Sequence, residues 1–209
     1  MFQRLTPVVK FVLITIIGLY IISVVLAKSG SILPDYLALH HYKSPYFQPF
    51  QLFTYMLMHD NNGIMHIFFN MFMFVSFGPQ LESFLGSKRF GNFIMICGIG
   101  VGVCWIGWNY LAFNGFIGMN NSESAMVGFS GVLFGIFALM GLYFPEAEIR
   151  LLIPPIPIKL KYMVLIYIGL EFFYLIGQSN DNISHISHLL GVVFAVIMYN
   201  VWHMIDHKR

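Results

Sequence analysis

Long apolar runs, separated by polar connections, divide the chain into six segments that predict helices. The runs cover residues 8–27, 63–85, 90–113, 125–144, 162–177 and 184–204. A helix that crosses a bilayer needs about 20 apolar residues, so five runs are long enough and the run at 162–177 is short. None of them alternates apolar and polar residues, as the strands of a membrane barrel would. The pattern therefore predicts an all-α integral membrane protein, a bundle of six transmembrane helices.

The connection at residues 28–62 differs from the others because it is long and rich in aromatic residues. It contains Pro34, Pro45 and Pro49, so it is too interrupted to form a spanning helix. It is also too apolar for a freely solvated loop. Two interpretations stay open: an interfacial structure partly sunk in the outer leaflet, or an aromatic belt with no further role.

Composition narrows the class of protein. Hydrophobic residues make up 58% of the chain and charged residues 10%, whereas soluble domains carry about 25% charged residues. We therefore expect residues 1–209 to form a single membrane domain whose surroundings are the lipid bilayer. The basic residues are scattered among the connections, so no nucleic-acid partner is expected. The oligomeric state is left open.

The distribution of Lys and Arg predicts the orientation of the helices. With a cytoplasmic N-terminus, the inner side holds nine basic residues and the outer side holds only Lys28 and Lys43. An excess of basic residues marks the cytoplasmic side of membrane proteins. The nine are Arg4, Lys10, Lys88, Arg89, Arg150, Lys159, Lys161, Lys208 and Arg209. We expect both termini in the cytoplasm, and the size and charge bias indicate a bacterial inner membrane.

Four polar residues interrupt the apolar runs at a shared depth. His66 and Asn70 lie one turn apart on the second run, Ser130 lies on the fourth, and His188 lies on the sixth. These runs all go from outside to inside, and at 1.5 Å per residue the four positions fall within about 5–10 Å of the outer boundary. Because polar groups in a membrane core are costly, their common depth predicts one shared site near the outer face.

The residue types at this depth predict acyl-transfer chemistry. Ser130, in Gly128-Phe129-Ser130-Gly131, is the predicted nucleophile, and His188 is the predicted base that takes its proton. The side chains of His66 and Asn70, with the backbone N–H of Ser130, are the predicted donors to the oxyanion. Gly128 and Phe129 complete the predicted oxyanion and substrate-binding set.

Small residues predict that the fourth and sixth helices approach each other closely. Gly131 and Gly135 form a small face on the fourth run, and Gly191 and Ala195 form another on the sixth. Small faces of this kind let membrane helices pack at short distance. A hydrogen bond between Ser130 and a histidine on the sixth helix requires such an approach.

Three other ionisable residues near this depth stay outside the predicted site. Glu171 lies toward the outer half of the fifth run, where it could pair with a histidine, gate the substrate, or stay protonated and hydrogen-bonded to a neighbouring helix. The last interpretation is preferred. His59 and His185 are interpreted as interfacial histidines. The predicted catalytic set contains Ser130 as nucleophile and His188 as base, and Glu171 is not assigned to it.

These motifs together resemble those of the rhomboid intramembrane serine proteases, over about residues 59–199. The matching patterns are H-x-x-x-N at His66-Ile67-Phe68-Phe69-Asn70, G-x-S-G at Gly128–Gly131, H-x-x-G at His188-Leu189-Leu190-Gly191, and E-x-x-x-G at Glu82 and Gly86. The resemblance implies that Ser130 and His188 are catalytic and that His66 and Asn70 bind the oxyanion. It also implies cleavage of other membrane proteins in or near a transmembrane segment, without cofactor or metal. The pocket would open to the outer side and receive the substrate helix laterally.

The sequence departs from the family pattern at three places. Phe50-Gln51 stands where many members carry Trp-Arg before the second helix, which leaves the anchoring of that loop open. Phe134 stands where many members have a tyrosine that packs against the catalytic histidine, so a ring is retained without its hydroxyl. Ala195 replaces a second glycine on the sixth helix, which is a small change.

Three alternative functions make different predictions for these residues. A proteolytically inactive rhomboid-like protein would bind transmembrane helices for quality control, but it would be expected to lack Ser130 or His188. A b-type haem protein would use His66 and His188 as axial ligands and leave Asn70 without a role. A transporter of small polar substrates would predict discontinuous helices and an internal repeat, and the sequence has neither.

Overall fold

The computed structural model describes residues 5–60, 63–116, 125–150, 156–177 and 183–208, and most of them are helical. In chain order the helices are α1 (Pro7–Lys28), α2 (Leu33–Tyr36), α3 (Gln51–Thr54), α4 (Ile64–Leu85), α5 (Ser87–Phe113), α6 (Ser130–Tyr143), α7 (Leu160–Ile176) and α8 (His185–Asp206). A 3-10 turn at Tyr55–Leu57 follows α3. Each apolar run of the sequence therefore contains one long helix.

Four of these helices, α1, α4, α5 and α8, are long and apolar enough to cross a membrane. The other two long helices are shorter, with 14 residues in α6 and 17 in α7. The described part of the chain thus gives four candidate spans, and six crossings remain a prediction. The largest difference from the expected boundaries is at α6, which begins at Ser130 rather than at residue 125.

A short antiparallel pair of strands, β1 (Glu148–Arg150) and β2 (Pro157–Lys159), precedes α7. The all-α prediction contained no strand, because three-residue segments are too short to show an alternating pattern. Glu146 accepts hydrogen bonds from Lys159 and Lys161 beside this pair. These two ammonium groups lower the pKa of the Glu146 carboxyl to about 2.

Helix α6 is the centre of the structure, and α8 is its most extensive neighbour. It is apolar on all sides and almost entirely buried from Gly131 to Gly141. A helix that is hydrophobic all round is stable only when neighbours cover every face. Helices α4, α5, α7 and α8 supply that cover, so Ser130 stands at the end of the most enclosed element.

Backbones of α6 and α8 come almost into contact, as the glycine pattern predicted. A Cβ added to Gly191 would lie 1.9 Å from the carbonyl oxygen of Gly131, and one added to Gly135 would lie 2.9 Å from that of Gly191. Ala195 is fully buried one turn further along α8. No side chain fits between the two helices at this level, which fixes the distance between the serine and the histidine that they carry.

The connection between α1 and α4 is a folded segment built around Gln51. This side chain is completely buried. Its amide oxygen accepts from the backbone N–H groups of His40 and Gln48, and its amide nitrogen, Nε2, donates to the carbonyls of Tyr36 and Tyr46. The glutamine therefore holds the loop whose anchoring the sequence left open.

Glu82, at the C-terminal end of α4, holds the start of α1. Its carboxylate accepts from the backbone N–H groups of Val8 and Val9, each at 3.0 Å, and from the hydroxyls of Thr6 and Ser87. The first N–H groups of a helix have no partner within the helix. A carboxylate supplied by another helix satisfies them here and joins α1 to α4.

Large apolar side chains cover much of the outer surface of the bundle. Phe11 on α1 and Phe173 on α7 are among the most exposed, at 71% and 69%. Extensive exposed apolar surface marks a membrane or partner contact rather than a water-facing surface. Together with the four candidate spans, it indicates an integral membrane protein.

Candidate active site

Ser130 occupies the first position of α6 because the preceding backbone cannot be helical. Met126 pairs with Leu39 through two backbone hydrogen bonds. Gly128 then adopts a φ of +120°, which side chains other than hydrogen strongly disfavour. Because of these two features, α6 begins five residues later than the sequence predicts. They also leave the N–H groups at the serine among those without an intrahelical acceptor.

The serine hydroxyl meets an imidazole at the neighbouring helix start. Ser130 Oγ lies 2.8 Å from His188 Nε2, a hydrogen-bond distance. His188 is the fourth residue of α8 and is buried. When the hydroxyl donates to Nε2, the neutral ring carries its proton on Nδ1. This is the arrangement in which a histidine can accept the serine proton.

His66 and Gly128 lie on the same side of the serine. A Cβ added to Gly128 would lie 3.2 Å from His66 Nε2 and 3.8 Å from Ser130 Oγ. Only glycine leaves that space open, so the imidazole and the hydroxyl converge beside its backbone. Phe129 is fully buried, and its ring packs edge-on against Phe74, which lies on α4 like His66.

Asn70 lies one turn beyond His66 on α4 and is buried. Within the described residues, its Nδ2 group has no hydrogen-bond partner. A buried amide donor without a partner costs about 1–3 kcal/mol. Such a group is therefore available to donate to an oxygen that arrives only with a substrate. The roles of His66, Asn70, Gly128 and Phe129 remain predictions.

Glu171, which the sequence did not place in the predicted site, faces His188 from the side opposite Ser130. Glu171 on α7 is buried, and its Oε2 lies 3.0 Å from His188 Nδ1. The same oxygen accepts a hydrogen bond from His185 Nδ1 at 2.6 Å. The structure thus pairs Glu171 with histidines, one of the alternatives considered. Two signals were present in the sequence: a carboxylate inside an apolar helix, and two histidines three residues apart on one helix face.

Glu171, His185 and His188 offer three metal-binding atoms within 4.8 Å of one another. Two ligands of a tetrahedral zinc ion, each about 2.0–2.1 Å from the metal, lie about 3.3 Å apart. The carboxylate-to-nitrogen distances of 2.6 Å and 3.0 Å are shorter than that. They are the distances of a hydrogen bond and an ion pair, so we interpret the cluster as a hydrogen-bonded group.

His59 also lies beside the site, although it was interpreted as interfacial. It is buried, and its ring centroid is 5.2 Å from that of His66. Burial, and secondly the neighbouring His66, lower the pKa of His59 to about 3. The ring is therefore neutral at physiological pH and packs as an uncharged group against the predicted oxyanion donor.

The chain matches a known protein family over most of its length. The family model described as the Rhomboid domain matches residues 46–204, a range that contains every candidate residue of the site. Among curated proteins, none matches the chain.

Proposed function

Because the chain belongs to the rhomboid family, we propose that it is an intramembrane serine endopeptidase that cleaves transmembrane segments of other membrane proteins near the outer membrane face. One observation carries this proposal: the hydrogen bond between Ser130 Oγ and His188 Nε2. A serine hydroxyl becomes an effective nucleophile when a base accepts its proton. A fold that only binds helices has no need for this pair at the end of its most buried helix.

The proposed reaction proceeds through an acyl-enzyme. Ser130 Oγ attacks the scissile carbonyl carbon while its proton passes to His188 Nε2. The tetrahedral intermediate collapses, the C–N bond breaks, and His188 returns the proton to the leaving amine. Water then attacks the ester with His188 as base, which releases the acid and regenerates the hydroxyl.

Donors around the serine would stabilise the negative oxygen of each intermediate. Among the residues that the structure describes, the buried Nδ2 group of Asn70 has no hydrogen-bond partner, and the ring of His66 lies beside Gly128 near the hydroxyl. The N–H groups at the start of α6 add backbone donors and the positive end of the helix dipole. Fixed donors in a low-dielectric site contribute most of the rate enhancement in many enzymes.

The haem alternative conflicts with this geometry. Of the two ring nitrogens of His188, Nε2 is hydrogen-bonded to Ser130 and Nδ1 faces Glu171. An iron bound to either nitrogen would have to displace Ser130 or Glu171 from its contact with the ring. We therefore propose a reaction that needs neither metal nor cofactor.

We further propose that all six long helices lie in the membrane, with both termini in the cytoplasm of a bacterium and residues 1–209 as one membrane domain. Helix α6 spans about 21 Å at 1.5 Å per residue. It meets other helices rather than lipid along its length, so its shortness is compatible with a position in the middle of the bundle. The basic residues favour this orientation.

The proposal is tested by an unbiased search for cleavage. Wild type and Ser130→Ala are reconstituted with a mixture of bacterial inner-membrane proteins, and new N-termini are identified by mass spectrometry. We expect termini that are specific to wild type and clustered at the outer ends of transmembrane segments. If the two proteins give the same set of termini, the endopeptidase proposal is wrong and an inactive helix-binding protein explains the fold better.

A further inference from the structure

A buried carboxylate faces the nitrogen of His188 that points away from the serine. Glu171 is 9% exposed, and its Oε2 lies 3.0 Å from His188 Nδ1. Ser130 Oγ lies 2.8 Å from the other ring nitrogen, Nε2. The hydroxyl, the imidazole and the carboxylate therefore form a continuous series across α6, α8 and α7.

His185 holds the carboxylate in this place. Its Nδ1 donates to Glu171 Oε2 at 2.6 Å, and its ring stacks on Tyr174 of α7 with the centroids 5.3 Å apart. A buried carboxylate is costly unless donors or a cation compensate it. One donor from α8 and the stacked ring fix Glu171 relative to the start of α8, where His188 also lies.

The contact with His188 acts mainly through charge. The separation is that of an ion pair, whereas His188 Nδ1 makes no well-directed hydrogen bond within the described part of the chain. A negative oxygen at this distance favours the ring form that carries a proton on Nδ1, and it favours the doubly protonated ring even more. The first form leaves Nε2 free to accept from Ser130, and the second is what proton transfer produces.

We propose that Glu171 is a positioning residue that orients His188 and stabilises its positive charge after it accepts the serine proton, so that the site works as a serine–histidine–glutamate series. This inference rests on the proposed protease function. The other groups around His188 do not supply that charge: Ser130 and Phe134 on α6 are neutral, and His66 on α4 and His185 on α8 are imidazoles that would oppose a second positive charge.

The first test measures the rate of fluorophosphonate labelling of Ser130 as a function of pH. Glu171→Gln keeps the size of the side chain and an acceptor for His185 but removes the charge. Glu171→Asp keeps the charge on a shorter side chain. Glu82→Gln is the matched control, because it neutralises a buried carboxylate at the far end of α4. A purely structural role of a buried carboxylate would affect the two glutamine variants alike.

In Glu171→Gln, we expect the midpoint of the acidic limb of the pH profile to shift to lower pH, by about one unit or more. The plateau rate should fall about tenfold or more. The midpoint of Glu171→Asp should lie between those of Glu171→Gln and wild type. Glu82→Gln should retain the wild-type midpoint. A midpoint that stays unchanged in both Glu171 variants would overturn the proposal. So would a profile of wild type that changes on addition of EDTA, since the cluster would then bind a metal.

A second test does not depend on activity. The ¹⁵N resonances of His188 are titrated in Ser130→Ala protein with and without Glu171→Gln, and are identified by their loss in His188→Gln. The midpoint should fall by about one unit when the charge is removed. If wild type is not labelled by the fluorophosphonate but this shift occurs, the proposed protease function is wrong and the interaction between Glu171 and His188 is supported. If the midpoint does not move, the pairing itself is wrong.

Discussion

Phe134 lies flat against the imidazole of His188, with the ring centroids 4.2 Å apart and the ring planes 7° from parallel. Phe134 is one turn beyond Ser130 on α6, so the helix that carries the nucleophile also carries a support for the base. The ring of Phe134 thus packs on the histidine without the hydroxyl that a tyrosine would carry. The orientation of His188 is therefore set by contacts on three sides: Ser130, Phe134 and Glu171.

Replacement of Phe134 should weaken the serine–histidine pair. An aromatic contact of this kind is worth about 0.5–1.5 kcal/mol, so Phe134→Ala should lower the labelling rate of Ser130 about two- to tenfold. Phe134→Tyr should label at a rate close to that of wild type, because the ring is retained. The measurement is the time course of fluorophosphonate labelling of folded protein. Equal rates for the alanine and tyrosine variants would show that the stacked ring is not needed.

Gly191→Ala should separate the two helices that carry the site. Its Cβ would come within 1.9 Å of the Gly131 carbonyl oxygen, which is backbone and cannot rotate away. Overpacking of this kind costs about 1–3 kcal/mol or more. We expect a lower melting temperature in detergent and little labelling of Ser130.

Gly169→Ala is the matched control for this helix substitution. A Cβ at Gly169 on α7 would meet no atom within 4 Å. Alanine is the better helix former, so the control should melt at or slightly above the wild-type temperature. If Gly191→Ala behaves like the control, the close approach of α6 and α8 is not required.

Removal of the Asn70 amide should reduce activity without abolishing it. Loss of one oxyanion donor costs about 2.7–4 kcal/mol in soluble serine proteases, so Asn70→Ala should lower the rate about 10²–10³-fold. Asn109→Ala is the control: Asn109 is buried on α5, but its amide already donates to the Trp105 carbonyl. A loss as complete as that of Ser130→Ala would mean that Asn70 does more than donate one hydrogen bond.

His59 should make folding stability depend on pH below neutrality. Its pKa is lowered from 6.5 to about 3 in the folded protein, so below about pH 6.5 the unfolded chain binds a proton that the folded one does not. Stability should therefore fall between about pH 6.5 and pH 3. The measurement is the melting temperature against pH for wild type and His59→Gln. The variant should show the shallower dependence, and parallel curves would exclude this contribution.

The helices could be predicted from the sequence because the information is local. Apolar runs identify α1, α4, α5 and α8 with boundaries close to those observed, since length and composition decide whether a helix suits a bilayer. Part of the site was also predictable. The positions of Ser130 and His188 along their runs predict that the two residues lie at the same depth. The glycines at 131, 135 and 191 predict the close approach of α6 and α8 that makes the hydrogen bond between Ser130 and His188 possible.

Other features depend on contacts between distant residues and could not be predicted. The start of α6 is set by the pairing of Met126 with Leu39, which lie far apart in the sequence. The sequence leaves the partner of Glu171 open, because it does not give the rotation of α7 relative to α8. Gln51 holds its loop through four backbone groups whose arrangement exists only after folding.

The most direct test of the proposed function is fluorophosphonate labelling of the purified protein in detergent, beside Ser130→Ala and His188→Ala. The probe reacts covalently with serines whose proton is removed by a base, so it requires no knowledge of the substrate. We predict that wild type is labelled and that both variants, shown to be folded by their melting curves, are not. Labelling that persists in Ser130→Ala, or an unlabelled but folded wild type, would contradict the account.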